Sequence, residues 1–238
     1  MVAIKKRAQQ ESEKLQDDFV DGFLFGEEKT DTKNMQKIVI DSSDNIKEPL
    51  NNIPESEEIV LDPKKYILSK TDTKGVIEYG NEYFVEISGY SEEELIGKPH
   101  NIIRHSDMPK IVFKLLWQRI KNKEDITAIV KNRAKDGRYY WVMTEFDIKV
   151  DKVTDEITGY FAYRRAAPRK AIEAVIPLYK KLVDIEKVSG MDGSGKYLTA
   201  LLESKNMTYD QFINEITGKN SGLMKLWFSA MKKFFSGK

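Results

Sequence analysis

The sequence predicts an α+β domain: a five-stranded antiparallel sheet with short helices on one face. Two observations predict it. Two β-prone runs open the region and three close it, with every helical pattern of that region between them. Two of the turns joining consecutive strands carry a Lys-Gly or Asp-Gly hairpin signal.

In chain order, Tyr66-Ile67-Leu68-Ser69 and Val76-Ile77-Glu78-Tyr79 flank Asp72-Thr73-Lys74-Gly75, a hairpin with glycine at the end of its turn. Asn81 is placed to cap a helix over Glu82–Ser88, and Gly89 to end it. Ser91-Glu92-Glu93-Glu94 reads as a capping box opening a second short helix, closed by Gly97-Lys98-Pro99. Pro109 sits near the first turn of a longer helix, where its missing N–H costs nothing. Along that helix Val112, Leu115, Leu116 and Ile120 recur at helical spacing. Ile126–Arg133 and Tyr139–Val150 then flank Lys135-Asp136-Gly137-Arg138, and Ile157–Arg165 supplies the last strand.

The organisation expected is a flexible N-terminal tail over 1–62, a folded domain over 63–166, a helical segment over 167–218 and a basic amphipathic segment over 219–238. The tail is rich in charge, Ser, Asn and Pro, with one apolar island at Leu15, Phe19, Phe23 and Phe25. That island is either a transient helix or a docking motif. After Pro168, apolar stripes run through Ile172, Val175, Ile176, Tyr179, Leu182 and Val183, through Tyr197, Leu198, Leu201 and Leu202, and through Phe212, Ile213 and Ile216. Such helices either fold back on the sheet or join a partner's bundle.

Composition excludes several functions. The 238 residues carry 39 basic and 38 acidic side chains, so no global field draws the chain to nucleic acid. With no cysteine there is no disulfide scaffold, thiol nucleophile or cysteine-bound metal, and a reducing cytoplasm is the simplest home. Met1–Gln10 lacks the apolar core of a secretory signal, and no run of about 18 apolar residues is present. No Gly-rich phosphate loop follows a strand, and Asp192-Gly193-Ser194-Gly195 reads as the cap of a helix around Tyr197. His100 and His105 have no third ligand at metal spacing, so neither an enzyme nor a metal centre is expected.

The chemistry concentrates in Arg104-His105-Ser106-Asp107, which packs a cation, an imidazole and a carboxylate just before a helix start. Packing alone does not ask for that set, so it points to a ligand. Each member has a structural alternative: Asp107 as a helix cap, Arg104 as its ion-pair partner, His105 as a satisfied core histidine. Trp117 falls among the apolar positions of the following helix, where core packing is equally open.

Several of these motifs resemble the PAS domains of the Aer-type aerotaxis receptors, which bind flavin. The resemblance runs through Asn81-Glu82-Tyr83-Phe84, Ser88-Gly89-Tyr90, Glu94-Leu95-Ile96-Gly97-Lys98-Pro99-His100-Asn101 and Arg104-His105-Ser106-Asp107-Met108-Pro109. It continues through Trp117, Ile129-Val130-Lys131-Asn132-Arg133, Asp136-Gly137 and Tyr140-Trp141-Val142, and past the sheet at Ile172-Glu173-Ala174-Val175 and Pro177-Leu178-Tyr179-Lys180. About half the chain is covered. It implies a PAS fold holding FAD, with Asn81, Arg104, His105, Asp107, Trp117 and Asn132 around the cofactor. Arg104 offers a planar fork for a pyrophosphate, and Asn132 can donate to and accept from a ring edge. The sequence departs from the family at Ser106, where proline is usual, and at Ile126, where a tryptophan is usual near the ring. An aliphatic Ile126 keeps the pocket apolar but removes a stacking surface.

The function implied is a cytoplasmic redox or energy sensor that signals to a separate membrane-bound chemotaxis transducer, since no transducer, kinase or membrane span follows the PAS region. A PAS homodimer is a further partner consistent with the family. The alternative is a cofactor-free PAS interaction module, or a PAS domain holding a different small ligand, for which Ile126 argues. Leu223, Trp227, Ala230, Met231 and Phe234 can share one helix face opposite Lys225, Lys232 and Lys233. That face suits either docking on protein or a peripheral contact at the inner membrane surface through 222–238.

Overall fold

The computed structural model describes residues 57–218. The apolar island near Phe19 and the amphipathic segment over 222–238 lie outside the described residues. Five strands form one antiparallel sheet: β1 (Ile67–Thr71), β2 (Ile77–Gly80), β3 (Thr127–Arg133), β4 (Tyr139–Val150) and β5 (Ile157–Ala166), in the order β2-β1-β5-β4-β3. Between β2 and β3 come α1 (Glu82–Ser88), α2 (Glu92–Leu95), a 3-10 turn (His100–Ile103) and α3 (Lys110–Lys121).

Local chemistry accounts for most of these boundaries. Asp72 Oδ1 accepts from the N–H groups of Lys74 (2.8 Å) and Val76 (2.9 Å), which folds the first hairpin. Asn81 Oδ1 accepts from Phe84 N–H (3.1 Å) and from Leu68 N–H (2.9 Å), while its Nδ2 donates to the Tyr66 carbonyl at 2.8 Å. One side chain thus caps α1 and ties it to β1. Asn81→Ala is expected to lose about 1–3 kcal/mol of stability by removing a cap and leaving partly buried groups unpaired, measurable by denaturant melt. Gly89 ends α1 at φ 71°, and Ser91 with Glu94 forms the capping box of α2. Gly159 on β5 lies against β1: a Cβ there would stand 2.5 Å from the Thr71 carbonyl oxygen.

The described fold begins earlier than the expected boundary at 63. β4 runs past the end of its ladder with β5, and Tyr139 bonds instead to the incoming chain. Tyr139 N–H donates to Glu57 O (3.1 Å), and Ile59 N–H donates to Tyr139 O (2.7 Å). Leu61 is buried.

After the sheet, α4 (Arg169–Ser204) and α5 (Tyr209–Thr217) fold back on the domain, which resolves the choice the apolar stripes left open. The two halves of α4 meet at a kink where Gly190 takes φ 65° and ψ −174°. Ser194 therefore lies inside the second half, buried, and the 192–195 segment is not a cap. In the first half, buried Tyr179 donates its hydroxyl to the Ile129 carbonyl at 2.8 Å and packs against Trp141, with ring centroids 6.4 Å apart. Trp141 and Ile129 point to the sheet face opposite Thr144 and Asn132, because alternate strand residues face opposite sides. Helices therefore contact the sheet from both sides at its β3–β4 end.

Among the described residues no helix is long and apolar enough to cross a membrane.

Candidate functional site

A cavity of about 80 Å³ lies between α3 and the sheet. Strand alternation supplies its floor: Val130 and Asn132 from β3, Thr144 and Phe146 from β4, and Tyr160, Ala162 and Arg164 from β5. The apolar stripe of α3 supplies the opposite wall through Phe113, Leu116, Trp117 and Ile120. Arg104 and His100 close one side, and an isolated antiparallel bridge joins the Arg104 backbone to Asn132. The Trp117 indole meets the Tyr160 ring edge-on, 5.4 Å between centroids.

The cavity's polar groups are few and unusual. Arg164 is buried, donating from Nη1 to Ser69 Oγ (2.7 Å) and from Nη2 to His100 Nε2 (3.0 Å). The Ser69 hydroxyl stands 3.1 Å from the same imidazole nitrogen, which closes a triangle. Accepting from a guanidinium requires Nε2 to be unprotonated, so His100 is neutral here and carries any proton on Nδ1. Burial first, and the Arg164 charge second, hold the His100 pKa well below its ordinary value. Burial also pushes Arg164 down to about 10, which leaves it charged at neutral pH. Its two hydrogen-bond partners are both neutral. Thr144 Oγ1, also facing the cavity, is buried without a hydrogen-bond partner, and Asn132 Nδ2 is buried with only a weakly placed contact to the Tyr140 hydroxyl.

The residues implied by the resemblance divide. Arg104, Trp117 and Asn132 line the cavity. Asn81 does not: its amide is committed to α1 and β1 as described above. His105 and Asp107 lie in a separate groove of about 570 Å³ with Lys131, Arg133 and Tyr139. These three residues of β3 and β4 point away from the cavity because they alternate with Asn132 and Tyr140. There His105 Nδ1 accepts from Asp107 N–H (3.0 Å), and Lys131 donates to the Asp107 carboxylate at 2.7 Å. Burial raises the Asp107 pKa, but the Lys131 hydrogen bond and charge outweigh it and leave the carboxyl below its usual range.

Asp107 is not the cap of α3. Pro109 occupies that position without a side-chain bond, and Glu186 of α4 caps instead. Its two carboxylate oxygens accept from the N–H groups of Lys110 and Ile111, each at 2.9 Å. The Arg104 guanidinium lies 4.4 Å from the Phe113 ring centre and donates to the Met108 carbonyl at 3.5 Å. Burial lowers its pKa, and the Glu186 charge pulls it back up. Ile126 is buried in the core but is not among the cavity-lining residues.

Sequence reasoning missed Arg164, Thr144 and His100 as cavity groups. A signal for the first exists: Arg164 shares the alternation of Tyr160 and Ala162, so a cation falls in the register of an inward face.

Comparison with known proteins agrees with this architecture. Residues 77–160 match the PAS fold family. Over 117 residues the chain is 44% identical to the aerotaxis receptor of Escherichia coli K12, covering 49% of this chain and 22% of that one. It is 28% identical over 101 residues to a nitrogen fixation regulatory protein of Klebsiella pneumoniae, covering 41% of this chain and 20% of the other. The chain thus spans about a fifth of the length of these curated relatives. Among solved structures it is similar to the PAS domain of a Colwellia psychrerythraea protein, with 21% identity and a TM-score of 0.40 over 42% of this chain and 85% of that one. A light-oxygen-voltage domain studied with a flavin analogue gives 17% identity and a TM-score of 0.41 over 49% and 86%. The five-stranded sheet, the helices between β2 and β3 and the match over 77–160 give this region the PAS fold, with similarity to the aerotaxis receptor over 117 residues.

Proposed function

We propose that this PAS domain is a redox or energy sensor for taxis, holding a flavin between α3 and the sheet and signalling to a transducer on another chain. The observation that carries the reading is the cavity's donor set: buried Arg164 with only neutral partners, and the buried polar atoms of Asn132 and Thr144. These groups suit a planar ring that presents carbonyl oxygens and ring nitrogens at its edge and an apolar face to Trp117 and Leu116. Similarity to the aerotaxis receptor suggests flavin as that ring and chemotaxis proteins as partners, and FAD is the form that the resemblance of the sequence motifs implies.

A bound flavin would supply a redox-dependent charge and protonation state. The chain's own groups would do the rest. Arg164 would favour negative charge at the ring edge, Asn132 and Thr144 would orient that edge, and α3 would exclude water. The cavity's volume is far below the roughly 300–1,000 Å³ of ordinary ligand pockets, so a ring enters only when α3 moves outward.

The test is an absorption spectrum of the purified protein, with acid release and chromatography to separate FAD from FMN. Blue-region bands and released FAD are expected. A colourless preparation that takes up no FAD on reconstitution sinks the flavin reading, and unimpaired energy taxis in a deletion strain sinks the sensory role. The small volume beside a buried cation favours one second reading, a small organic acid in place of flavin.

A further inference from the structure

The helices that follow the sheet grip the helix that walls the cavity, at both of its ends. At the N-terminus of α3, Glu186 bonds two backbone N–H groups that no residue within α3 can satisfy. Ser194, beyond the Gly190 kink, has its hydroxyl between the same carboxylate (3.0 Å) and the Met191 carbonyl (2.9 Å), which share its one proton. Gly195 lies against Ile111 so closely that a Cβ there would stand 3.2 Å from the isoleucine Cδ1. At the other end, Arg119 of α3 pairs with Asp210 of α5. The Glu186 charge also acts on the mostly buried Arg104 of the cavity wall. Thus a single carboxylate touches the wall's first turn, acts on the charge at the cavity's side, and belongs to the helix that follows the sheet.

We propose that Glu186 is a latch: it holds α3 closed over the cavity, and ligand entry releases it, freeing the second half of α4 about the Gly190 kink as the output. The latch deepens the flavin reading, resting on it only for the ligand's identity. Closure and occupancy compete for the position of α3, so each weakens the other by the same factor. Loosening the latch therefore raises affinity for a ring-sized ligand, because less of the protein is held in the closed state. A merely structural cap would leave affinity unchanged or lower it.

The 238-residue chain has no cysteine, so spin labels can be placed at will on it through Gln118→Cys on α3 and Thr199→Cys on α4, both exposed. Distances are measured by pulsed EPR with and without FAD, and FAD affinity by titration. In the wild-type background FAD is expected to shift or broaden the distance distribution. Glu186→Ala is expected to produce a similar distribution without FAD and to bind FAD about tenfold more tightly, the scale of a lost charged cap. Glu186→Gln, which keeps one acceptor oxygen, is expected between the two, and circular dichroism checks that each variant is folded.

Unchanged distances and affinity in folded Glu186→Ala overturn the latch, as does FAD that binds without moving the labels. If FAD binds neither protein, the flavin reading fails separately. The latch is then decided by the Glu186→Ala distances alone, with a wild-type distribution overturning it.

Discussion

Replacing Arg164 by methionine is expected to reduce bound flavin more than tenfold while raising the melting temperature of the flavin-free domain. The two effects have opposite signs for one reason. A buried guanidinium whose hydrogen-bond partners are a serine and a neutral histidine has been desolvated without compensation from a carboxylate. Methionine fills a similar volume, and Ser69 and His100 can keep their own 3.1 Å contact, so little is left unsatisfied. Relief of the buried charge is then on the order of 1–4 kcal/mol, the range seen when buried ionic groups are replaced by apolar ones. A ligand edge that uses the cation loses a charge-assisted hydrogen bond of about 1.5–3 kcal/mol, which is tenfold or more in affinity. Flavin titration and thermal melts on the same variant check both signs. Retained flavin with a lowered melting point would mean that Arg164 is structural. His105→Ala provides the contrast, with occupancy near wild type for a ring held in the cavity and reduced occupancy for a ligand that runs through the groove.

The parts of this fold legible in the sequence are those whose cause is local. The cap that Asn81 places on α1, Gly89, the Ser91–Glu94 box and the Asp136-Gly137 turn each act within a few residues, and the structure places every one as read; the bonds of Asn81 to Tyr66 and Leu68 were not legible. The site was only half legible, because its logic is nonlocal. Arg104, His105 and Asp107 are neighbours in sequence, yet the backbone bridge at Arg104 separates the cavity from the groove holding the other two. Alternation groups Arg164 with Tyr160 and Ala162, but nothing in the sequence states which face of β5 meets α3. The cap of α3 illustrates the same limit. Asp107 is three residues from the helix start at Lys110, and Glu186, 76 positions beyond that start, does the work.

That distance also bears on signalling. In a domain whose caps were all local, the helices after the sheet could be removed without disturbing the cavity wall. Here the wall's first turn is completed by the helix that follows the sheet. In the latch proposed above, a change in the cavity and a change in that helix are linked chiefly through the two hydrogen bonds from α3 backbone N–H groups to the Glu186 carboxylate.

Acid should weaken the domain through His100 in a way one substitution can isolate. The folded-state pKa of this imidazole is held well below its ordinary value, by burial and then by Arg164, while in the unfolded chain it titrates near 6.5. Between those two values the unfolded chain binds one more proton than the folded domain, so stability rises with pH. The contribution is fully present above about pH 6.5 and is lost as pH falls toward the folded-state pKa, at no more than about 1.4 kcal/mol per pH unit. From pH 6.5 to 5 the loss is therefore at most about 2 kcal/mol, or roughly 4–8 °C in the melting temperature of a domain of this size. Carboxylates held below their usual range, such as Asp107, add their own loss at lower pH, so the wild-type curve alone does not identify the histidine. His100→Gln does. Its side-chain oxygen can still accept from Arg164 and Ser69 but does not titrate, so the difference between the two melting curves should open below pH 6.5 and vanish above it. Parallel curves from pH 7 to 5 would show that a charged His100 is tolerated beside Arg164, and would remove the neutral imidazole from the description of this site.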